Sequence, residues 1–183
     1  MNVKFDGVKL IPILELGVSQ IYLNERKISE ICKWFDPREF TNYPPLPVYD
    51  FGDGRFTLTD GHSRAYLAYR FGITHIPVVY DCDEMVTSEL GLLQYRKNIE
   101  WCQRYGISTV GDLENRIVSD SQYRELWVER CDKSYNLLTN STESVRKAFQ
   151  EQHPQLFLYG SNENLSVLFF EDLNGALFNF INE

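Results

Sequence analysis

Residues 59–65 have the sequence Thr59-Asp60-Gly61-His62-Ser63-Arg64-Ala65. This segment lies between a strand-like run at 56–58 and a helix-like run at 64–71. A turn from a strand into a helix brings free backbone N–H groups and the positive end of the helix dipole to one point. Proteins commonly hold phosphate or another anion at such a point, so residues 59–65 predict an anion-binding turn.

The residue types in this turn suit phosphate chemistry. Gly61 lets the backbone approach a ligand closely or adopt a positive φ, and Arg64 offers a planar set of donors to phosphate oxygens. The Ser63 hydroxyl can cap the helix or donate to the anion. Asp60 is a candidate magnesium ligand, and His62 is a candidate phosphate donor or proton shuttle. The simpler alternative is a structural turn in which Asp60 and Ser63 only cap the helix and Arg64 is solvated.

Composition and charge narrow the class of protein. The 183 residues are 43% hydrophobic and 14% aromatic, which is enough to bury a core. The net charge is −8, and both halves of the chain carry more acidic than basic residues. Binding to duplex DNA usually requires a basic patch, so this charge argues against nucleic acid as a partner.

The sequence contains no apolar run of membrane-spanning length, and its first residues lack the layout of a signal peptide. We therefore expect a cytoplasmic protein without a membrane partner. The four cysteines are widely separated and the three histidines fit no ligand spacing, which gives no indication of a zinc-type site.

The pattern of apolar residues predicts an α+β protein with two parts. Residues 1–84 predict a strand at 11–14, a helix after Asn24, a hairpin around Gly52-Asp53-Gly54, a helix ending at Gly72 and a strand at 76–80. Residues 85–183 predict a mainly helical subdomain that ends in a β-hairpin and packs on the first part. The elements predicted there are helices at 88–105, from 109, at 123–135 and at 142–152, and strands at 156–159, 165–170 and 176–181.

Four segments also occur in a familiar order and spacing. They are Ile11-Pro12-Ile13, then Pro45-Leu46-Pro47-Val48, then the turn at 59–65, then Gly72-Ile73-Thr74-His75-Ile76-Pro77-Val78. With these segments, residues 11–83 resemble the ParB/sulfiredoxin-like superfamily. Families of this fold bind nucleotides, with the phosphates at the turn that corresponds to residues 60–64. The resemblance implies that Thr59, Asp60, Gly61, His62, Ser63 and Arg64 bind ATP, ADP or CTP, with magnesium on Asp60.

The branches of this superfamily differ in activity. Sulfiredoxins carry a catalytic Cys where this chain has His62, which argues against sulfinic-acid reduction. ParB partition proteins have a more basic turn than this one. Free serine kinases have an Asp-Gly-His-His-Arg turn, from which Asp60-Gly61-His62-Ser63-Arg64 departs at one position. Those kinases also use an acidic residue from the N-terminal region, for which Glu15 and Glu25 are the candidates here. We take Glu15 as the catalytic base and His62 as a second catalytic residue.

These observations favour a nucleotide- or phosphate-binding protein whose enzymatic form would be a small-molecule phosphotransferase. Two alternatives stay open. One is a non-catalytic protein-interaction module, and the other is a ParB-like DNA-binding or nuclease protein, although fold alone does not establish either activity. The sequence does not identify an acceptor substrate or a protein partner.

Overall fold

The computed structural model describes residues 4–140, 157–161, 167–171 and 177–181. These residues form six α-helices and nine strands, including a mixed sheet, which confirms the α+β class. They divide into two compact units, Met1–Val128 and Glu129–Glu183. The elements of the first unit are β1 (Val8–Pro12), β2 (Leu23–Asn24), α1 (Glu25–Ile31), β3 (Leu46–Asp50), β4 (Phe56–Leu58), α2 (His62–Arg70), β5 (His75–Tyr80), α3 (Glu84–Thr87), α4 (Glu89–Arg104), β6 (Ile117–Val118) and α5 (Asp120–Tyr123).

The main sheet of the first unit has the strand order β1-β5-β3-β4. Strand β5 is antiparallel to β1 and parallel to β3, and β3 is antiparallel to β4. The predicted hairpin is confirmed, since the Asp50 carboxylate accepts hydrogen bonds from the N–H groups of Gly52 and Gly54 at 2.8 and 3.0 Å. Hydrophobic side chains on β3, β4 and β5 are buried and form the centre of the core: Leu46, Val48, Leu58, Ile76 and Val78.

The first predicted strand has different bounds from those expected at 11–14. Strand β1 ends at Pro12, and Ile13–Glu15 form a short 3₁₀ helix. The backbone N–H of Ile13 donates to the carbonyl of Thr74 at 2.8 Å, and the buried Ile13 side chain joins the core. The chain therefore leaves the sheet two residues earlier than its apolar run predicts.

The predicted start of α1 after Asn24 and the predicted end of α2 before Gly72 are confirmed, whereas α2 begins at His62, two residues earlier than the predicted Arg64. The Asn24 side chain caps α1 by accepting from the N–H of Lys27 at 3.0 Å. Gly61 precedes α2 with a φ of +79°, and Gly72 follows it with a φ of +76°. Helix α2 buries Ala65, Tyr66, Leu67 and Ala68 and directs its first residues to the exit of β4.

Residues 85–128 belong to the same compact unit as residues 4–84. Strand β6 pairs in parallel with β2, and the Tyr95 hydroxyl donates to the carbonyl of Thr59 at 3.1 Å. The helix expected from Thr109 is a 3₁₀ helix, Val110–Asn115. The first unit therefore contains residues on both sides of position 84. The assignment of residues 1–84 as a domain of their own stays a prediction.

The second unit contains α6 (Glu129–Asn140) and three strands, β7 (Phe157–Ser161), β8 (Val167–Glu171) and β9 (Leu177–Ile181). These strands correspond to the three predicted at 156–159, 165–170 and 176–181. They form one antiparallel sheet in the order β7-β8-β9, which extends the expected hairpin by one strand. The helix predicted at 142–152 lies outside the described residues. Within the described part of the chain, no helix combines the length and apolar character needed to cross a membrane.

Candidate functional site

A cavity of about 260 Å³ opens at the start of α2, and we call it the α2 cavity. Four of the six residues predicted to bind a ligand line it. The residues that line the α2 cavity are Lys27, Ile31, Trp34, Pro44, Asp60, Gly61, Ser63 and Arg64. The turn and one face of α1 therefore enclose the same space.

Gly61 is required where the chain enters α2. Its φ of +79° lies in the left-handed region, and a Cβ built there would be 2.7 Å from Leu46 Cδ2 and 3.0 Å from Arg64 Nη2. The tight fit lets the Arg64 side chain pass across the turn. The amides of the first turn of α2 have no carbonyl partner within the helix, and Ser63 and Arg64 of that turn line the cavity.

Ser63 is a buried polar residue of the α2 cavity, with a relative exposure of 4%. It lies in the first turn of α2, next to the positive end of the helix dipole. Its hydroxyl can therefore donate a hydrogen bond to an oxygen of a ligand bound in the cavity.

Two cations and one carboxylate line the α2 cavity, which gives it a net positive charge in a chain of net charge −8. The Arg64 side chain is 14% exposed and donates to the carbonyl of Pro44 at 3.3 Å and to the Asp60 carboxylate at 3.4 Å. Both distances are long for such bonds. Lys27 is exposed on α1. An anion in the cavity could therefore recruit both cations without breaking strong hydrogen bonds.

His62 points into the protein core and does not line the α2 cavity. Its Nε2 accepts a hydrogen bond from the backbone N–H of Ser19 at 3.1 Å, and the Ser19 hydroxyl donates to the carbonyl of Leu58 at 2.7 Å. Burial lowers the pKa of His62 to about 4, against an opposing effect of the Asp60 carboxylate. The ring is therefore neutral at pH 7 and joins the start of α2 to the segment at Ser19. Its predicted role as a proton shuttle stays a prediction.

Thr59 and Glu15 also lie away from the α2 cavity. The Thr59 hydroxyl donates to the Asp81 carboxylate, and its N–H donates to the carbonyl of Pro47 at 3.1 Å, so both groups serve the fold. Glu15 is exposed and lines a second, open cavity of about 520 Å³, which we call the Glu15 cavity. The other residues that line the Glu15 cavity are Ile11, Asp53, Gly54, Arg55 and Phe56. The structure does not bring Glu15 and His62 together in one cavity.

Asp60 is the one carboxylate among the described residues that line the α2 cavity, and its side chain is 68% exposed. No group of three or more His, Cys, Asp or Glu side chains suited to a metal ion occurs in the described ranges. Magnesium is commonly held by one or two carboxylates together with phosphate oxygens of a ligand. Asp60 fits that mode of binding, in which the ligand would supply the remaining oxygens.

The sequence did not identify the α1 side of the site. Lys27, Ile31 and Trp34 are separated by four and three residues, which is the spacing of one face of a helix. Ile31 is buried, whereas Lys27 and Trp34 are exposed. The signal available in the sequence was the combination of a lysine and a tryptophan on the same face as Ile31.

No protein-family model matches the chain, and no curated protein matches it. Among solved structures, the chain is similar to the crystal structure of protein Atu1540 from Agrobacterium tumefaciens, with a TM-score of 0.39 and 16% sequence identity. That similarity covers 80% of this chain and 84% of the Agrobacterium chain.

Proposed function

We propose that the chain binds a nucleotide or another phosphorylated small molecule in the α2 cavity, and that its N-terminal part has a ParB/sulfiredoxin-like fold. The order of elements supports the proposal for the fold, since a strand, a helix, a hairpin, the turn at 59–65, a helix and a strand follow one another. The proposal for binding depends on the residues that line the α2 cavity.

The observation that carries the proposal is the grouping of the buried Ser63 with Lys27 and Arg64 around one cavity. This cavity opens at the start of α2, a helix of nine residues. A phosphate group would accept hydrogen bonds from the Ser63 hydroxyl and from the first amides of α2, and its charge would be balanced by the two cations. A neutral ligand would use the hydroxyl but not the charge.

Phosphoryl transfer to a small acceptor is the enzymatic form of this proposal. Such catalysis depends mostly on positioning and on neutralising charge on the transferred group. Lys27, Ser63 and Arg64 would hold the phosphates, and magnesium on Asp60 would supply further positive charge. The acceptor hydroxyl also needs a base within hydrogen-bonding distance. Glu15 does not line the α2 cavity, and an Asp60 carboxylate that holds magnesium is not free to take a proton, so the proposal leaves the base unassigned.

Isothermal titration calorimetry with ATP, ADP and CTP, each with and without magnesium, tests the proposal. We expect binding by the wild-type protein and an affinity about tenfold lower in Arg64→Gln, because charge-assisted hydrogen bonds are lost. Arg70→Gln is the matched control, since Arg70 lies on the same helix but outside the α2 cavity and pairs with Glu114. If the folded wild-type protein binds none of these ligands at millimolar concentration, the proposal is wrong and a protein-interaction module becomes the better hypothesis.

A further inference from the structure

We propose that the aromatic base of the ligand stacks on Trp34, so that the α2 cavity selects a single nucleoside phosphate over phosphorylated compounds that lack a ring. This inference rests on the proposed function, because it assumes that a phosphate occupies the Ser63 end of the cavity. It adds a second recognition element, in which the tryptophan determines specificity.

The α2 cavity has a polar part and an apolar part. Lys27 lies close enough to the start of α2 for its charge to lower the pKa of His62. Ile31 and Trp34 follow on the same side of the chain, with Pro44 as a further apolar residue of the lining. Helix α1 rises by about 6 Å from Lys27 to Ile31, where it ends, and Trp34 lies in the turn that follows. The charged part and the aromatic part of the lining are therefore separated, as the phosphate and the base of a nucleotide are separated by its sugar.

Trp34 is held in place by its backbone while its side chain stays accessible. Its N–H donates to the carbonyl of Ile31 at 3.1 Å, and its carbonyl accepts from the Asn42 side chain at 2.9 Å. The indole packs edge-to-face with the buried Phe35, with ring centroids 5.8 Å apart. Even so, 48% of Trp34 is exposed. A fixed indole at the rim of a cavity is a suitable surface for a nucleobase, since every base has a flat face that can stack.

The size of the cavity limits the ligand further. Small-molecule sites commonly have volumes of about 300–1,000 Å³, and the α2 cavity, at about 260 Å³, lies just below that range. A volume of this size is consistent with one nucleotide. Other exposed aromatic side chains, Phe40 and Phe71, do not line the cavity, so Trp34 is placed for this role and they are not.

Intrinsic fluorescence provides a direct readout of stacking. The protein has three tryptophans, of which Trp101 and Trp127 are buried and pack against each other. A base that stacks on Trp34 should quench emission, whereas inorganic phosphate and ribose 5-phosphate should not. We expect adenosine monophosphate and cytidine monophosphate to bind about 5- to 100-fold more tightly than ribose 5-phosphate, from the usual contribution of one stacked base.

Three variants separate stacking from binding of the phosphate. Trp34→Ala should remove the advantage of the nucleotides over ribose 5-phosphate and leave the affinity for ribose 5-phosphate unchanged. Trp34→Phe should restore most of that advantage, because it retains an aromatic face. Phe71→Ala, which removes an exposed aromatic side chain outside the cavity, should behave as the wild type.

Two outcomes would overturn the inference in different ways. If the nucleotides and ribose 5-phosphate bind the wild-type protein equally well, and Ser63→Ala weakens both, the anion site stands and the role of Trp34 is wrong. If no member of the series binds, and ATP, ADP and CTP do not bind either, the proposed function fails and the inference fails with it.

Discussion

The α2 cavity and the Glu15 cavity are both lined by charged side chains, but the arginine of each cavity is hydrogen-bonded to the protein to a different extent. In the Glu15 cavity, Arg55 donates to the carbonyls of Glu15 and Leu16 at 2.9 and 3.0 Å, and its own N–H is bonded to the Asp53 carboxylate at 3.1 Å. In the α2 cavity, the two side-chain bonds of Arg64 are longer, at 3.3 and 3.4 Å.

This difference shows why charged residues at a cavity are weak evidence for a ligand site when taken alone. Arg55 fastens the hairpin to the segment that follows β1, so its hydrogen-bonding capacity serves the fold. In the α2 cavity, the longer bonds of Arg64 leave more of its hydrogen-bonding capacity and charge for a ligand. The Glu15 cavity is twice as large, yet volume is not what distinguishes a binding site here.

The largest expected effect concerns the buried imidazole under the α2 cavity. In the folded protein the pKa of His62 is about 4, whereas an unfolded histidine has a pKa near 6.5. Between these values the unfolded state binds the proton and the folded state does not. The contribution of His62 to the free energy of unfolding is therefore complete above pH 6.5 and falls as the pH drops towards 4. The total loss is about 3 kcal/mol.

Urea denaturation between pH 4 and pH 7 measures this effect. His62→Gln removes the titrating group while keeping an acceptor for the N–H of Ser19, so its stability should fall by about 3 kcal/mol less than that of the wild type over this range. His75→Gln, which alters an exposed residue of β5, is the control and should follow the wild type. If the free energy of unfolding depends on pH in the same way in the wild type and in His62→Gln, the pKa of His62 is not lowered in the folded protein and the prediction is wrong.

The next effect compares a glycine from each cavity. Gly61 and Gly54 have φ values of +79° and +78°, so alanine meets the same backbone strain at both. The new Cβ would clash with Leu46 and Arg64 at position 61, but at position 54 nothing lies within 4 Å. We expect Gly61→Ala to lower the free energy of unfolding by about 2 kcal/mol more than Gly54→Ala. Equal losses in thermal or urea denaturation would mean that Arg64 is not packed across the turn.

The sequence predicted the elements around the turn because they depend on local signals. The Asn24 cap, the Asp50–Gly54 turn and the glycines that flank α2 all lie within a few residues of the structure they form. The hydrogen-bond partners of individual side chains were not predicted. His62 is engaged by Ser19, 43 positions away, and Thr59 by Asp81, 22 positions away. No local pattern contains those partners, so residues that only support the turn were grouped with residues that line the cavity.

A smaller effect tests whether the Ser63 hydroxyl serves the cavity or the fold. Ser63→Ala removes a hydroxyl that lines the α2 cavity, so the free energy of unfolding should change by less than about 1 kcal/mol. Ser19→Ala is the matched control, because the Ser19 hydroxyl is also buried but donates to Leu58. That variant should lose about 1–2 kcal/mol. A comparable loss in Ser63→Ala would indicate that the hydroxyl already serves the fold.

The smallest expected effect is at Glu15. If the α2 cavity is the ligand site, Glu15→Gln should leave the affinity for nucleotides unchanged within about twofold, since Glu15 lines a different cavity and its carbonyl, not its carboxylate, bonds Arg55. Asp60→Asn removes the carboxylate that fits magnesium and should reduce the effect of magnesium on nucleotide affinity. Calorimetry of both variants with and without magnesium distinguishes the cavities. A strong loss in Glu15→Gln with none in Asp60→Asn would move the ligand to the Glu15 cavity and restore the catalytic role predicted for Glu15 from the sequence.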